Sequence, residues 1–131
     1  MKKNSKILLI GGSGNLGSSI IKSELFENLY SPDKKNLNLI SRKSIRKVLN
    51  YHKFDLVINC AAMARILDCE KNTTKAININ IGGTLNLVKE ILRQETNYKR
   101  KIKLIHISSD GVYPSQKGNY SERGPLGPYN V

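Results

Sequence analysis

The chain has 131 residues, of which 39% are apolar and 24% charged. That is enough for one domain, and it argues against a disordered tail or a membrane protein. The net charge is +12, from 22 basic and 10 acidic residues, and the two cysteines, Cys60 and Cys69, supply neither a disulfide framework nor a zinc quartet.

The basic start Met1-Lys2-Lys3 leads into only four apolar residues, Ile7 to Ile10, too few for a secretory signal or a membrane span. The expected compartment is therefore a reducing cytoplasm, and no metal centre is expected. A strongly basic chain suits a polyanion. Here, however, 16 Lys, 14 Asn and 15 Ile point to a compositional bias. The cations are scattered, and the densest clusters, Lys2 to Lys6 and Lys99 to Lys103, fall between predicted elements. The reading favours a surface that attracts a nucleotide phosphate over a nucleic-acid partner.

Residues 6–10 (Lys-Ile-Leu-Leu-Ile) read as a strand buried on both faces, ending in glycines. After Gly11-Gly12-Ser13-Gly14-Asn15-Leu16-Gly17, apolar residues at Leu16, Ile20, Ile21, Leu25 and Leu29 form a helical stripe that Ser31-Pro32-Asp33 stops. Leu37 to Ile40 reads as a second, weaker strand. Ser44 can then cap a short helix with Ile45, Val48 and Leu49 inside. Asp55 to Ala62 is the third strand. A long helix starts at Thr73 or Thr74, with Ile77, Ile81, Leu85, Val88 and Leu92 as its inner stripe. Gly82 and Gly83 within it cost about 1 kcal/mol each relative to Ala, which suggests a close approach to that helix. Ile102 to Ile107 is the fourth strand, and residues 109–131, with four Gly and three Pro, show no helical period. Strands alternating with helices predict an α/β fold with a doubly wound parallel sheet.

The glycine string carries the chemistry. A helix N-terminus after a strand presents free N–H groups and partial positive charge, and a diphosphate docks there when no side chain blocks it. Gly11 allows the tight turn, Gly14 the close approach and Gly17 the helix–strand contact, while Asn15 and Leu16 open the helix between them. The context of strand, turn and helix supports a dinucleotide site. The absence of Gly-Lys-Ser/Thr argues against a P-loop. An Arg at the end of the second strand would accommodate a 2′-phosphate. Ser41-Arg42-Lys43 therefore predicts NADP(H) over NAD(H), with Ser41 and Arg42 at the cofactor and Arg42 as the anchor.

The spacing of Gly11, Gly14 and Gly17 resembles the extended short-chain dehydrogenase/reductase superfamily, and other segments match in order. Asp55-Leu56-Val57-Ile58-Asn59-Cys60-Ala61-Ala62-Met63 resembles its Asp-x-Val-Ile-Asn-x-Ala-Ala strand. Asn80-Ile81-Gly82-Gly83-Thr84 resembles its Asn-x-x-Gly-Thr helix. Ser108-Ser109-Asp110-Gly111-Val112-Tyr113 resembles its active-site strand end. Within the superfamily, Ser-Asp-Gly-Val-Tyr and Ala-Ala-Met point to dTDP-4-dehydrorhamnose reductases and related sugar-nucleotide reductases.

The resemblance implies a Rossmann-like NAD(P)-binding domain over residues 1–131, with 109–131 as an active-site loop region. It also implies that Cys60, Ala61, Ala62 and Met63 lie along the cofactor, that Asn80 holds that loop, and that Ser109, with Ser108 as its neighbour in register, bonds a substrate carbonyl. The substrate would be a nucleotide sugar. An epimerase or dehydratase of the same superfamily, with NAD(H), is the nearest alternative. A non-catalytic dinucleotide-binding regulatory module is another.

Two departures stand out. The superfamily's further strand before the Asp55 strand has no room between Ile40 and Asp55. Counting on from Ser109, the catalytic Tyr-x-x-x-Lys pair falls just past Val131, and Tyr129 has no Lys four residues later. The chain reads as cut before that pair, without the C-terminal substrate domain. It is then expected to bind dinucleotide but catalyse little. Its exposed edge at Ile102 to Ile107 and an uncovered helix face favour self-association or a second polypeptide.

Overall fold

Ile7–Ile10 form β1, and all four residues are buried because both faces of this strand are covered. The computed structural model describes residues 4–114, 116 and 118–128. Lys2 and Lys3 of the basic start, and Tyr129 to Val131, lie outside the described residues.

The remaining elements are α1 (Asn15–Lys22), β2 (Leu29–Tyr30), α2 (Arg42–Tyr51), β3 (Leu56–Asn59), α3 (Ile66–Lys71), α4 (Thr73–Ile77), a π-helical turn (Asn78–Gly83), α5 (Thr84–Tyr98), β4 (Lys103–His106) and a 3₁₀ turn (Asp110–Val112). The strands form one parallel sheet in the order β2-β1-β3-β4. Leu8, Ile10 and Val57 pack with Ile45, Val48, Leu49, Leu87 and Ile91 of α2 and α5. Ile7, Leu9, Leu56 and Ile58 pack on the opposite face with Ile20 and Phe26. The result is a doubly wound, Rossmann-like sheet with helices on both faces. Among the described residues no helix is long and apolar enough to cross a membrane.

Three expectations are corrected. The second strand is Leu29–Tyr30, not Leu37 to Ile40. Leu37 and Leu39 are buried as their alternation suggests, but side chains satisfy much of this segment's backbone. Asn38 N–H donates to Ser44 Oγ, Ile40 N–H donates to Asn38 Oδ1, and Asn86 Nδ2 donates to the carbonyls of Leu39 and Ile40. The first helix ends at Lys22, where Glu24 turns left-handed (φ 52°), so Leu25 is exposed and Leu29 belongs to β2.

The third correction concerns the long helix, whose expected inner stripe faces outward. Ile81 is 64% and Leu92 54% exposed, and Ile77 and Leu85 also lie at the surface. The buried face carries Leu87, Glu90, Ile91 and Gln94. Glu90 is satisfied there by three guanidinium groups. Arg46 bonds it through Nε and Nη2, Arg42 through Nε, and Arg93 through Nε at 2.8 Å.

Candidate functional site

β1 and β3 end beside each other, and the chain turns sharply at Gly11. Its φ is +87°, and a Cβ there would lie 2.6 Å from Ala61 N and 2.8 Å from the Cys60 carbonyl carbon. A Cβ on Gly17 would lie 2.2 Å from Gly11 O, so helix and turn touch backbone to backbone. Gly14 differs. Its φ is −77°, and an added Cβ would meet only Gly11 O, at 3.4 Å. The protein's own packing does not require a glycine at position 14.

The first helical bond of α1 runs from Ser18 N–H to Gly14 O at 2.8 Å. The amides of Asn15, Leu16 and Gly17 come before it, where a helix has no internal acceptors. Gly14 provides no side-chain cap, and the first turn holds no acidic residue. An anion suits these amides and the positive end of the helix dipole.

A cavity of about 450 Å³ opens in front of this turn. Its walls are Gly11 to Gly14, Ser31 to Lys34, Leu37 to Ile40, Cys60 to Ala62, and Ile79. Burial pushes the Cys60 thiol's pKa up, so it stays protonated at neutral pH and acts as a small apolar wall. Asp33 Oδ1 accepts from the backbone and side chain of Asn36, both at 2.9 Å. Lys34 is the cation in the wall.

The wall at 60–63 is tied from behind. Asn80 Oδ1 accepts from Met63 N–H at 2.8 Å, and its Nδ2 donates to Met63 O at 3.1 Å. Cys69 Sγ donates to the same carbonyl. The π-helical turn that carries Asn80 also places Gly83 against Leu39, where a Cβ would lie 3.0 Å from the Leu39 Cβ. Leu39 is therefore the close approach that the Gly82-Gly83 pair foreshadowed. Asn59 Oδ1 accepts from Ala61 N–H at 3.1 Å, which sets the bend at the exit of β3.

The structure thus brings Gly11, Gly14, Cys60, Ala61 and Ala62 to one cavity. Asn15, Leu16 and Gly17 form the helix start beside it, and Met63 and Asn80 support its wall. Ser41 and Arg42 do not line it. Ser41 caps α2 by accepting from Ser44 N–H, and Arg42, the first residue of α2, is paired with Glu90 at 2.9 Å. The residues that follow β2 and line the cavity are Ser31 to Lys34. Ser109 is exposed, does not line the cavity, and caps the 3₁₀ turn by accepting from Gly111 N–H at 3.0 Å.

The sequence holds two Tyr-x-x-x-Lys strings, Tyr30 to Lys34, which leaves β2, and Tyr113 to Lys117, which follows the Ser109 turn. Tyr113 is extended (φ −93°, ψ 149°) and is followed by Pro114, so this spacing does not start on a helix. Lys117 lies outside the described residues.

A family model described as the RmlD substrate binding domain matches residues 5–131. The chain belongs to this family. Among its relatives, this RmlD-family chain is 31% identical over 132 residues to the spore coat polysaccharide biosynthesis protein SpsK of Bacillus subtilis. That match covers 97% of the chain and 44% of the relative. It is 29% identical over 127 residues to the dTDP-4-keto-6-deoxy-D-glucose reductase of Streptomyces niveus, covering 95% and 42%. The crystal structure of dTDP-4-dehydrorhamnose reductase from Bacillus anthracis in complex with NADP superposes with a TM-score of 0.80. Identity there is 25%, over 96% of this chain and 44% of that one. The RmlD-family chain spans less than half the length of these relatives.

Proposed function

We propose that this chain is the coenzyme-binding part of an NADP(H)-dependent reductase acting on a nucleotide-sugar carbonyl. The carrying observation is Gly14, a bare Cα that the protein's own packing leaves room to fill, set beside three helix-start amides and a cavity of about 450 Å³. The relatives named as dTDP-sugar reductases, one of them an NADP complex, support the same reading.

The amides of Asn15, Leu16 and Gly17 hold the diphosphate across Gly14. Cys60, Ala61 and Ala62 present small side chains to the coenzyme, and Ser31 to Lys34 lie at the end of β2, where the adenosine ribose is recognised. Lys34 takes the place expected of Arg42 as the cation for a 2′-phosphate. Asp33 Oδ1 is held by its own turn. The bound coenzyme supplies a hydride. Ser109, at the exit of β4, offers its hydroxyl proton to the substrate carbonyl oxygen.

Titration of the folded chain with NADPH, followed by nicotinamide fluorescence, tests this. Gly14→Ala keeps the fold, because φ and space both allow it, and weakens NADPH at least about tenfold by filling the diphosphate seat. Unchanged affinity in Gly14→Ala overturns the reading.

A further inference from the structure

Asn59 and His106 are paired at the carboxyl ends of β3 and β4. Asn59 is buried, and its side-chain amide has two partners. Its Oδ1 accepts from Ala61 N–H at 3.1 Å, and its Nδ2 lies 3.2 Å from His106 Nδ1. A backbone N–H can only donate, so the amide oxygen must face Ala61 and the NH₂ must face the imidazole. An NH₂ group needs a lone pair opposite it. His106 Nδ1 therefore carries no proton, and the neutral ring holds its proton on Nε2. Ala61 in turn lines the cavity and is the residue against which Gly11 makes its left-handed turn.

We propose that His106 is a positioning residue of the coenzyme site: as the Nε2–H tautomer it orients the Asn59 amide, and that amide holds Ala61 against the glycine turn. The role rests on the coenzyme reading above. His106 is exposed on β4, so an apolar residue there replaces the imidazole acceptor by water, which does not fix the amide. The amide is then free to turn, and the Ala61 N–H loses its fixed partner. Asparagine at 106 carries an acceptor oxygen where Nδ1 stands, whereas leucine has nearly the same shape and none.

Two measurements on the full chain decide the matter. Long-range ¹H–¹⁵N spectra of histidine-labelled protein, recorded at about pH 8 where free imidazole is neutral, read the tautomer directly. The second histidine, His52, is distinguished by the signals that disappear in His106→Asn. The expected result is an unprotonated Nδ1 and a protonated Nε2, and an Nδ1–H tautomer overturns the proposal. NADPH titrations are then compared. His106→Leu is expected to bind about tenfold more weakly, and His106→Asn within about threefold of the unsubstituted chain. Equal affinities for the Leu and Asn variants overturn the positioning role but leave the coenzyme reading intact. No saturation in the unsubstituted chain overturns the coenzyme reading, and the positioning role with it. The tautomer measurement uses His106→Asn only to assign the signals and does not use His106→Leu, so it decides even where the leucine variant fails to fold.

Discussion

Replacing Glu90 by Gln removes one negative charge from between three positive ones while keeping nearly the same shape. The Glu90 side chain is fully excluded from water, yet it sits beneath Arg42 and Arg46, whose side chains are about half exposed. Its surroundings are therefore a thin layer and not deep interior. The hydrogen bond from Arg46 holds the carboxyl well down, burial opposes it, and the bonds from Arg93 and Arg42 add to the lowering, from the ordinary 4.5 to about 2. That drop corresponds to about 3 kcal/mol in favour of the folded, ionised form. Because the folded-state value lies below the unfolded one, the unfolded chain binds more protons in this range. The stabilisation is complete above about pH 4.5 and is lost as the pH falls towards 2. Urea unfolding at pH 7 is expected to show Glu90→Gln less stable by about 3 kcal/mol, or about 10 °C in Tm. Near pH 3 the gap between the two proteins is expected to shrink to roughly half. Other carboxylates titrate in both proteins and cancel in the comparison. Equal stability at pH 7, or a gap that does not change on acidification, refutes the claim that this carboxylate joins α2 to α5.

Gly11→Ala is expected to cost at least about 3 kcal/mol in urea unfolding, from left-handed strain and a forced contact with Ala61; a loss below about 1 kcal/mol contradicts the close approach. Lys34→Ala is expected to weaken NADPH about tenfold and leave NADH unchanged, because only the former carries the 2′-phosphate; equal effects on both in parallel titrations remove Lys34 from that role. Asn80→Ala loses both bonds to Met63 and is expected to cost about 2 kcal/mol, with faster hydrogen exchange at the Met63 amide as its local signature. Protection unchanged at Met63 contradicts the tie.

Where an element is a short continuous apolar run, the sequence shows it plainly. Ile7–Ile10 and Leu56–Asn59 are buried on both faces, so each strand stands out against its polar flanks without any periodicity. β2 is invisible in the same terms. It is two residues long, and it pairs with β1 only at Ile7↔Leu29 and Leu8↔Tyr30. The more strand-like alternation lies at Leu37 to Ile40, where Leu37 and Leu39 do face the core but side chains from α2 and α5 provide hydrogen bonds. Alternating burial requires neither a neighbouring strand nor an extended run, since Ser41 N–H donates to Asn38 O and this segment turns.

α5 shows why hydrophobicity alone picks the wrong face. Ile77, Ile81, Leu85, Val88 and Leu92 make the more apolar stripe, yet the buried face includes Glu90 and Gln94, both with partners on α2. A carboxylate is excluded from a predicted core because its burial is costly when unpaired. That reasoning fails here, since the partners come from α2, 44 and 48 residues away in sequence. The same blind spot hid the pairing of Arg42 with Glu90. A cation near a presumed strand end reads as a phosphate ligand until the fold supplies a buried carboxylate for it. The glycine turn was legible for the opposite reason: Gly11 and Gly17 meet each other directly within seven consecutive residues, although Gly11 also meets Cys60 and Ala61 from the exit of β3. Of the three glycines, only Gly14 has no such internal need. That makes it the position where the demands of the fold and of a ligand can be separated by a single methyl group.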